Sequence, residues 1–211
     1  MKIAVIGAGN VGGTLGRRWA ALGHAVRFGV RDPERGASAV KGGDALPSSA
    51  TVSAPDEAAH GADVVVLATP WDAVPAAIAE LGDALDGAVL VDATNPLGPG
   101  ILHAAGPRGE SGAERVQALA PRARVVKAFN TTGYNNMADP VYGGEATVMF
   151  YAGDDAEAKS AVRALVAALG FDAVDAGPLV RARELEHLAV LWISLAVGGL
   201  GREIAFRLVR R

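Results

Sequence analysis

The sequence predicts an α/β fold with a doubly wound, mostly parallel sheet, and two features carry that prediction. A β-branched apolar run at residues 2–6 is followed at once by Gly7, Gly9 and Gly12, in the spacing G-x-G-x-x-G. Downstream, strand-like and helix-like patterns alternate, which is typical of parallel strands covered by helices. Glycines so placed let the backbone approach a pyrophosphate at a helix start. We therefore expect a Rossmann-type dinucleotide-binding fold.

The alternation continues through a core that ends at about residue 130. After the first strand and its helix, further strands are expected at 25–28, 51–53, 63–67, 88–92 and 124–128. Helices are expected between them at 33–40, 74–81 and 114–119. Residues 97–112 are rich in Gly and Pro and predict a long loop.

Residues 131–211 follow without a linker and predict a small C-terminal extension of strands and helices. Strands are expected at 147–152 and 171–174, and helices at 155–169, 181–197 and 201–209. This extension is too short for a large helical domain, so we expect it to continue the same sheet. The prediction is one domain over residues 1–211.

Composition excludes several classes of function. The 211 residues carry a net charge of −3 with both signs interspersed, so no basic surface predicts a nucleic-acid partner. There is no cysteine, which excludes disulfides, thiol catalysis and zinc–thiolate sites. No apolar run has the length of a membrane span, no export signal is evident and no metal-ligand spacing stands out. We expect a cytoplasmic protein that binds small molecules, without a membrane or metal partner, and a homodimer.

The end of the second strand bears on the choice of dinucleotide. Arg31 follows this strand directly, where a guanidinium could hold the 2′-phosphate of NADP, and Arg35 lies one turn further. Asp32 is the competing residue, since an acid here would bind the ribose 2′-OH of NAD or cap the Pro33 helix. The pattern favours NADP.

Three further runs place small polar residues after predicted strands. Because the carboxyl ends of parallel strands share one sheet edge, these runs should meet beside the nicotinamide. The cofactor-binding residues expected there are Thr69, Pro70, Trp71, Asn95, Ala128 and Asn130. For Thr69 to Trp71 the alternative is a turn that starts a helix capped by Asp72.

Acid–base groups are scarce near this expected site. Of the four lysines, Lys127 alone is expected close to it, although a position within a strand more often directs the side chain to solvent or to a backbone carbonyl. His103 lies in the long loop and could approach a substrate. No catalytic side chain is therefore assigned, and these two are weak candidates. Hydride transfer between two stacked rings needs little side-chain chemistry, so the scarcity fits such a reaction.

These residues make the chain resemble the NADPH-dependent coenzyme F420 reductases and the oxidoreductase domain of the six-transmembrane ferric reductases of animals. The resemblance runs over nearly the whole chain. It rests on the glycine-rich turn and on residues 29–31, 69–71, 127–131, 175–179, 183–184 and 199–206.

The resemblance implies roles for several residues. Arg31 would hold the 2′-phosphate, and Gly9, Asn10 and Val11 the pyrophosphate. Thr69, Pro70 and Asn130 would surround the nicotinamide half of the cofactor. The F420 reductases usually carry Ser before the arginine, whereas this chain has Val30, which removes one phosphate donor.

The function so implied is hydride transfer between NADP(H) and a deazaflavin or flavin, with coenzyme F420 favoured. Two alternatives stay open. The first is reduction of a small carbonyl or imine, with a proton donor such as His103, Lys127 or Tyr134. The second is a non-catalytic NADPH-binding sensor.

Overall fold

The structure is a computed structural model that describes residues 1–43, 45–98, 100, 106 and 109–211. His103 and part of the predicted 97–112 loop lie outside the described residues.

One eight-stranded sheet organises the chain. Its strand order is β10-β9-β6-β5-β4-β1-β2-β3, and neighbouring strands are parallel except for β6 and β9. The strands of this sheet are β1 (Lys2–Ile6), β2 (Ala25–Gly29), β3 (Ala50–Ser53), β4 (Val64–Leu67), β5 (Val89–Asp92), β6 (Arg124–Ala128), β9 (Val148–Gly153) and β10 (Asp172–Gly177). A separate hairpin is formed by β7 (Val141–Tyr142) and β8 (Glu145–Ala146). The doubly wound, mostly parallel fold predicted from the sequence is confirmed.

Helices connect these strands. They are α1 (Asn10–Ala21), α2 (Pro55–Ala59), α3 (Val74–Leu81), α4 (Gly112–Leu119), α5 (Tyr134–Ala138), α6 (Ala156–Ala168) and α7 (Ala182–Leu195). Short 3-10 turns cover Pro33–Ala39, Trp71–Ala73, Gly82–Leu85 and Leu179–Arg181, and a π-helical turn covers Ala196–Leu200. The predicted 33–40 helix is thus a 3-10 segment, which Gly36 interrupts with a φ of 53°.

The expectation of a helix over residues 201–209 is wrong. Gly199 and Gly201 adopt positive φ values and end the helical path after α7. The tail that follows is non-helical, and its backbone carbonyls bond to other elements. The carbonyl of Ile204 accepts from the Trp192 indole N–H at 2.8 Å, and that of Phe206 from the Val148 N–H at 3.0 Å. These tertiary bonds replace the helical ones that the local pattern favoured.

Two apolar cores lie against the sheet. The first centres on Trp19 of α1, which is fully buried and contacts Phe129 edge-on with a ring-centroid distance of 5.5 Å. Its indole N–H donates to the Leu165 carbonyl of α6 at 3.2 Å. The second core joins α2, α3 and α4 to the sheet through small and aliphatic side chains such as Ala58, Ile78 and Val116. Trp19 therefore links the first helix to the C-terminal extension.

None of the helices in the described part of the chain is both long enough and apolar enough to span a membrane.

Replacing Trp19 by Ala should lower the free energy of unfolding by about 3–5 kcal/mol, because it empties a large buried volume and removes the indole hydrogen bond. Chemical denaturation monitored by circular dichroism measures the change. Leu22→Ala, just past the same helix and half-exposed, is the matched control and should change stability by about 0.5 kcal/mol or less. Equal losses in the two variants would contradict the central place of Trp19 in this core.

Candidate cofactor site

The glycine-rich turn joins β1 to α1 with its backbone closely packed. Gly7 has a φ of 96°, and a Cβ there would lie 2.7 Å from the Ala68 carbonyl oxygen. A Cβ at Gly12 would lie 1.9 Å from the Gly7 carbonyl oxygen. At Gly9, by contrast, a Cβ would meet no described atom within 4 Å. Two of the three glycines thus serve the turn itself, and the third leaves open space above it.

That open space faces the N-terminus of α1. Gly9 is the N-cap residue and has no side chain, and the first intrahelical bond runs from the Gly13 N–H to the Gly9 carbonyl at 2.7 Å. The N–H groups of Asn10 and Val11 precede that bond and have no partner within the helix. The first turn carries no acidic residue. An anion is therefore favoured at this end of the helix by free donors and by the helix dipole.

The end of β2 lies beside this turn. Gly29 accepts a hydrogen bond from the Gly7 N–H at 3.1 Å, which fixes the two strand ends together. Arg31 and Arg35 follow and are both exposed. Asp32 occupies the N-cap position of the 3-10 segment, yet its side chain makes no capping hydrogen bond there. The capping role considered for Asp32 is therefore not observed.

A loop that sequence reasoning did not associate with the site also contacts the turn. The Lys41 N–H donates to the Ala8 carbonyl at 3.0 Å, so Lys41 lies against the middle of the glycine-rich turn. The expectation that Lys127 alone among the lysines approaches the site is wrong. The signal in the sequence is slight: Gly13 leaves room for the Lys41 backbone, since a Cβ there would lie 2.5 Å from the Lys41 carbonyl oxygen.

Three polar side chains lie at the carboxyl ends of β4, β5 and β6. Asn95 and Asn130 are joined by two hydrogen bonds, from Asn95 Nδ2 to the Asn130 carbonyl at 3.0 Å and from Asn130 Nδ2 to Asn95 Oδ1 at 3.1 Å. Asn130 Nδ2 also donates to the Leu185 carbonyl at 3.1 Å. Thr69 lies against the glycine-rich turn, with its Cγ2 3.1 Å from the Cβ position of Gly7.

Two polar atoms of this group are buried without a partner among the described residues, namely Thr69 Oγ1 and Asn130 Oδ1. A buried acceptor and a buried hydroxyl without partners are costly unless a ligand or water supplies the missing bonds. The residues present therefore fit a polar ligand such as the ribose–nicotinamide half of a dinucleotide.

The backbone is strained immediately before Asn130. Phe129 has a φ of 61°, which is rare for a bulky residue and costs of order 1–3 kcal/mol. Its ring is almost fully buried against Trp19, and this contact holds the unusual conformation. The consequence is a sharp turn after Ala128 that directs Asn130 toward Asn95.

Lys127 lies in a buried ionic cluster rather than at the surface. Its side chain and those of Asp92 and Glu186 are 0% exposed. The ammonium lies 2.9 Å from Asp92 Oδ2 and 2.9 Å from Glu186 Oε1, and it donates to the Thr94 carbonyl at 2.7 Å. Solvent exposure of Lys127, considered from the sequence, is therefore wrong, whereas a backbone carbonyl is among its partners.

The cluster keeps Lys127 charged. Burial alone lowers the pKa of this ammonium, but the charges of Asp92 and Glu186 and their hydrogen bonds outweigh burial and raise the pKa. All three N–H donors have acceptors, so Lys127 is held as a structural cation.

The same cluster fixes α4 and α7 at the site. The Glu186 carboxylate accepts from the N–H groups of Gly112 and Ala113 at 2.9 and 3.2 Å, at the first turn of α4. Nearby, Arg183 donates two hydrogen bonds to Glu114 at 2.8 and 2.6 Å, and they hold the pKa of Glu114 at about 2. Two carboxylate contacts thus join α7 to α4 next to the polar edge.

Trp71 lies on the α4 side of the edge. The Arg115 guanidinium lies over its ring, 4.8 Å from the centroid. The Trp71 ring also lies 3.1 Å from the position that a Cβ would take at Gly112. Pro96 lies 3.2 Å from the same position. The capping role considered for Asp72 is not observed, since the turn and helix that follow have no side-chain cap.

Trp192 of α7 is buried within the chain, whereas Leu195 of the same helix is partly exposed. The homodimer stays a prediction.

Replacing Lys127 by Met should lower the free energy of unfolding at pH 7 by about 3–5 kcal/mol, because two buried carboxylates lose their cation. Chemical denaturation monitored by circular dichroism at pH 7 measures the loss.

Lys159→Met is the matched control. Lys159 lies 2.9 Å from Asp175, the distance that Lys127 keeps to its partners, but both side chains reach solvent. Its loss should cost about 1 kcal/mol or less. A Lys127 variant as stable as this control would show that the cluster does not support the fold.

Comparisons of the sequence and of the structure with known proteins point to one family. Residues 2–96 match the family model described as NADP oxidoreductase, coenzyme F420-dependent. The metalloreductase STEAP3 of Rattus norvegicus is 32% identical over 188 residues, which cover 89% of this chain and 36% of STEAP3. The chain thus spans only about a third of that protein.

Relatives of similar length cover the whole chain. The F420-dependent NADP reductase of Methanothermobacter marburgensis is 31% identical over 222 residues, which cover 99% of this chain and 98% of the reductase. A crystal structure of an F420-dependent NADP reductase candidate from Arthrobacter sp. FB24 superposes with a TM-score of 0.87 at 34% identity and covers both chains fully. The chain belongs to the F420-dependent NADP reductase family of NADP oxidoreductases.

Proposed function

We propose that this protein transfers a hydride between NADP(H) and a deazaflavin, with coenzyme F420 as the acceptor. The cofactor would lie along the carboxyl edge of the sheet. Gly9, Asn10 and Val11 would bind its pyrophosphate, and Arg31, assisted by Arg35, its 2′-phosphate. The nicotinamide half would be bound by Thr69, Pro70, Asn95, Ala128 and Asn130.

One observation supports the cofactor part of the proposal most directly. The closely packed Gly7 and Gly12 hold a turn that is open only above Gly9, where the helix N-terminus offers free donors. The exposed Arg31 follows the neighbouring strand, at the position that distinguishes the two dinucleotides. An anion bound above Gly9 and a second anion near Arg31 match the two charged groups of NADP.

The state of Lys127 removes one of the three proton donors considered for a carbonyl or imine substrate. Its three N–H donors are occupied by Asp92, Glu186 and the Thr94 carbonyl, so it has none left to protonate a substrate. In the proposed reaction NADPH loses a hydride from nicotinamide C4 and becomes NADP⁺. The deazaflavin gains this hydride together with one proton from water. The protein then has to bind and align two rings, which the rigid Asn95–Asn130 pair at the edge is suited to do.

The acceptor is tested by mixing the protein with NADPH, or separately NADH, and oxidised coenzyme F420, and following absorbance at the nicotinamide band. FMN and a ferric chelate serve as alternative acceptors. We expect rapid reduction of F420 with NADPH and slow reduction with NADH.

Reduction of FMN or the ferric chelate but not F420 would contradict the assigned acceptor. Tight NADPH binding with none of the three reduced would contradict the proposed transfer and favour a small carbonyl or imine substrate, or a sensor.

Arg31→Ala should weaken NADPH binding by about 1–3 kcal/mol, the range for a hydrogen bond to a charged group, and leave NADH binding nearly unchanged. Calorimetric titration with both nucleotides measures the difference. Arg122→Ala is the control, because Arg122 is paired with Asp83 and Asp86 rather than placed beside the turn. Equal losses for both nucleotides would rule out the 2′-phosphate assignment for Arg31.

A further inference from the structure

We propose that Lys41 is a third cation of the 2′-phosphate pocket, and that Arg17 positions it there without touching the cofactor. This inference rests on the proposed NADP site. It adds to that site a residue six positions beyond Arg35, in the same connection between β2 and β3.

The backbone of Lys41 lies directly against the glycine-rich turn. Its N–H donates to the Ala8 carbonyl, one residue before the open position at Gly9. At the end of β2, the Gly29 carbonyl accepts a hydrogen bond from the Gly7 N–H of the same turn. Lys41 itself therefore contacts the turn, and Arg31 lies two residues past Gly29, which contacts the same turn. The Lys41 side chain is exposed, and its flexible four-carbon stem allows the ammonium to reach an anion bound there.

The Arg17 side chain of α1 holds the Lys41 loop. The Arg17 guanidinium donates to four backbone carbonyls, at 2.9 Å to Lys41, 3.1 Å to Val40 and 2.7 Å to Gly43, with a fourth bond to Ala45. Gly13, one helical turn earlier, allows the Lys41 backbone to lie directly on the helix. Arg17 thus bonds to the backbone of the loop and positions Lys41. None of these bonds uses the Lys41 ammonium, so its charge stays available for an anion.

The charges of the neighbouring segment support a third cation. Arg31 and Arg35 are accompanied by Asp32 and Glu34, so the described residues from 31 to 35 carry no net charge. A phosphate monoester at neutral pH carries between one and two negative charges. Lys41 adds a positive charge beside this segment, whose own charges cancel.

The test measures the affinity of the full-length protein for NADPH, NADH and 2′,5′-ADP by calorimetric titration. Lys41→Met, which keeps the stem and removes the charge, should weaken NADPH and 2′,5′-ADP about 3- to 10-fold and leave NADH unchanged. Lys41→Arg should restore most of the loss. The dependence of NADPH affinity on salt should also become shallower in Lys41→Met, because one screened charge contact is gone.

Lys2→Met is the matched control, since Lys2 begins β1 at the opposite end of the strand from the turn. It should change none of the three affinities. Equal weakening of NADPH and NADH by Lys41→Met would place the ammonium on the pyrophosphate and overturn the proposal. Unchanged affinities for NADPH and 2′,5′-ADP would overturn it as well.

Arg17→Met tests the positioning role. It should reduce NADPH affinity by a similar factor, and combining it with Lys41→Met should add little further loss, since both changes act on one contact. Full additivity would show that Arg17 does not act through Lys41. The wild-type ratio of NADPH to NADH affinity tests the cofactor assignment separately: a ratio near one would overturn the NADP site and this inference together, whereas a high ratio unaffected by Lys41→Met would overturn the inference alone.

Discussion

The buried contact between Lys127, Asp92 and Glu186 is the interaction on which the architecture of the site depends. One ammonium neutralises two carboxylates that come from a neighbouring strand and from a distant helix. Asp92 in turn binds the N–H and hydroxyl of Thr94, which precedes Asn95. Removing a charged member of such a cluster leaves an uncompensated charge in the interior, so its geometry is strongly fixed. Because Asp92 holds Thr94, the fixed cluster also fixes the position of Asn95 and of its partner Asn130.

The site divides into two halves with different physical characters. The half around the glycine-rich turn is built by backbone, through glycines that bring Gly7, Gly29 and Ala68 into close contact. The half around Asn95 and Asn130 is built by side chains and charges, with Phe129 held in a strained conformation by Trp19. Backbone recognition suits the constant phosphates of a dinucleotide. Side-chain recognition suits the nicotinamide half that we propose to bind there.

Much of the first half could be predicted from the sequence, because glycine spacing and the order of strands and helices are local signals. The second half of the site was harder to predict from the sequence. β6 lies inside the sheet and is almost entirely buried, so its pattern has no polar face from which the burial of Lys127 could be predicted. The direction of β9 and the non-helical tail depend on tertiary hydrogen bonds that leave no local pattern. Lys41 was missed for a related reason, since it reaches the turn through contacts made to its backbone.

The ionic cluster also has a consequence for the order in which the chain assembles. Asp92 and Lys127 are synthesised well before Glu186, which belongs to the last helix, α7. The strands of the cofactor half can therefore pair while the chain is still incomplete, as N-terminal units commonly do. Until α7 arrives, Lys127 lacks one of its two carboxylates and the first turn of α4 lacks the acceptor for two of its N–H groups. Emergence of α7 thus completes the ionic cluster, and in a nascent chain the glycine-rich turn can form before the Asn95–Asn130 pair is held in place.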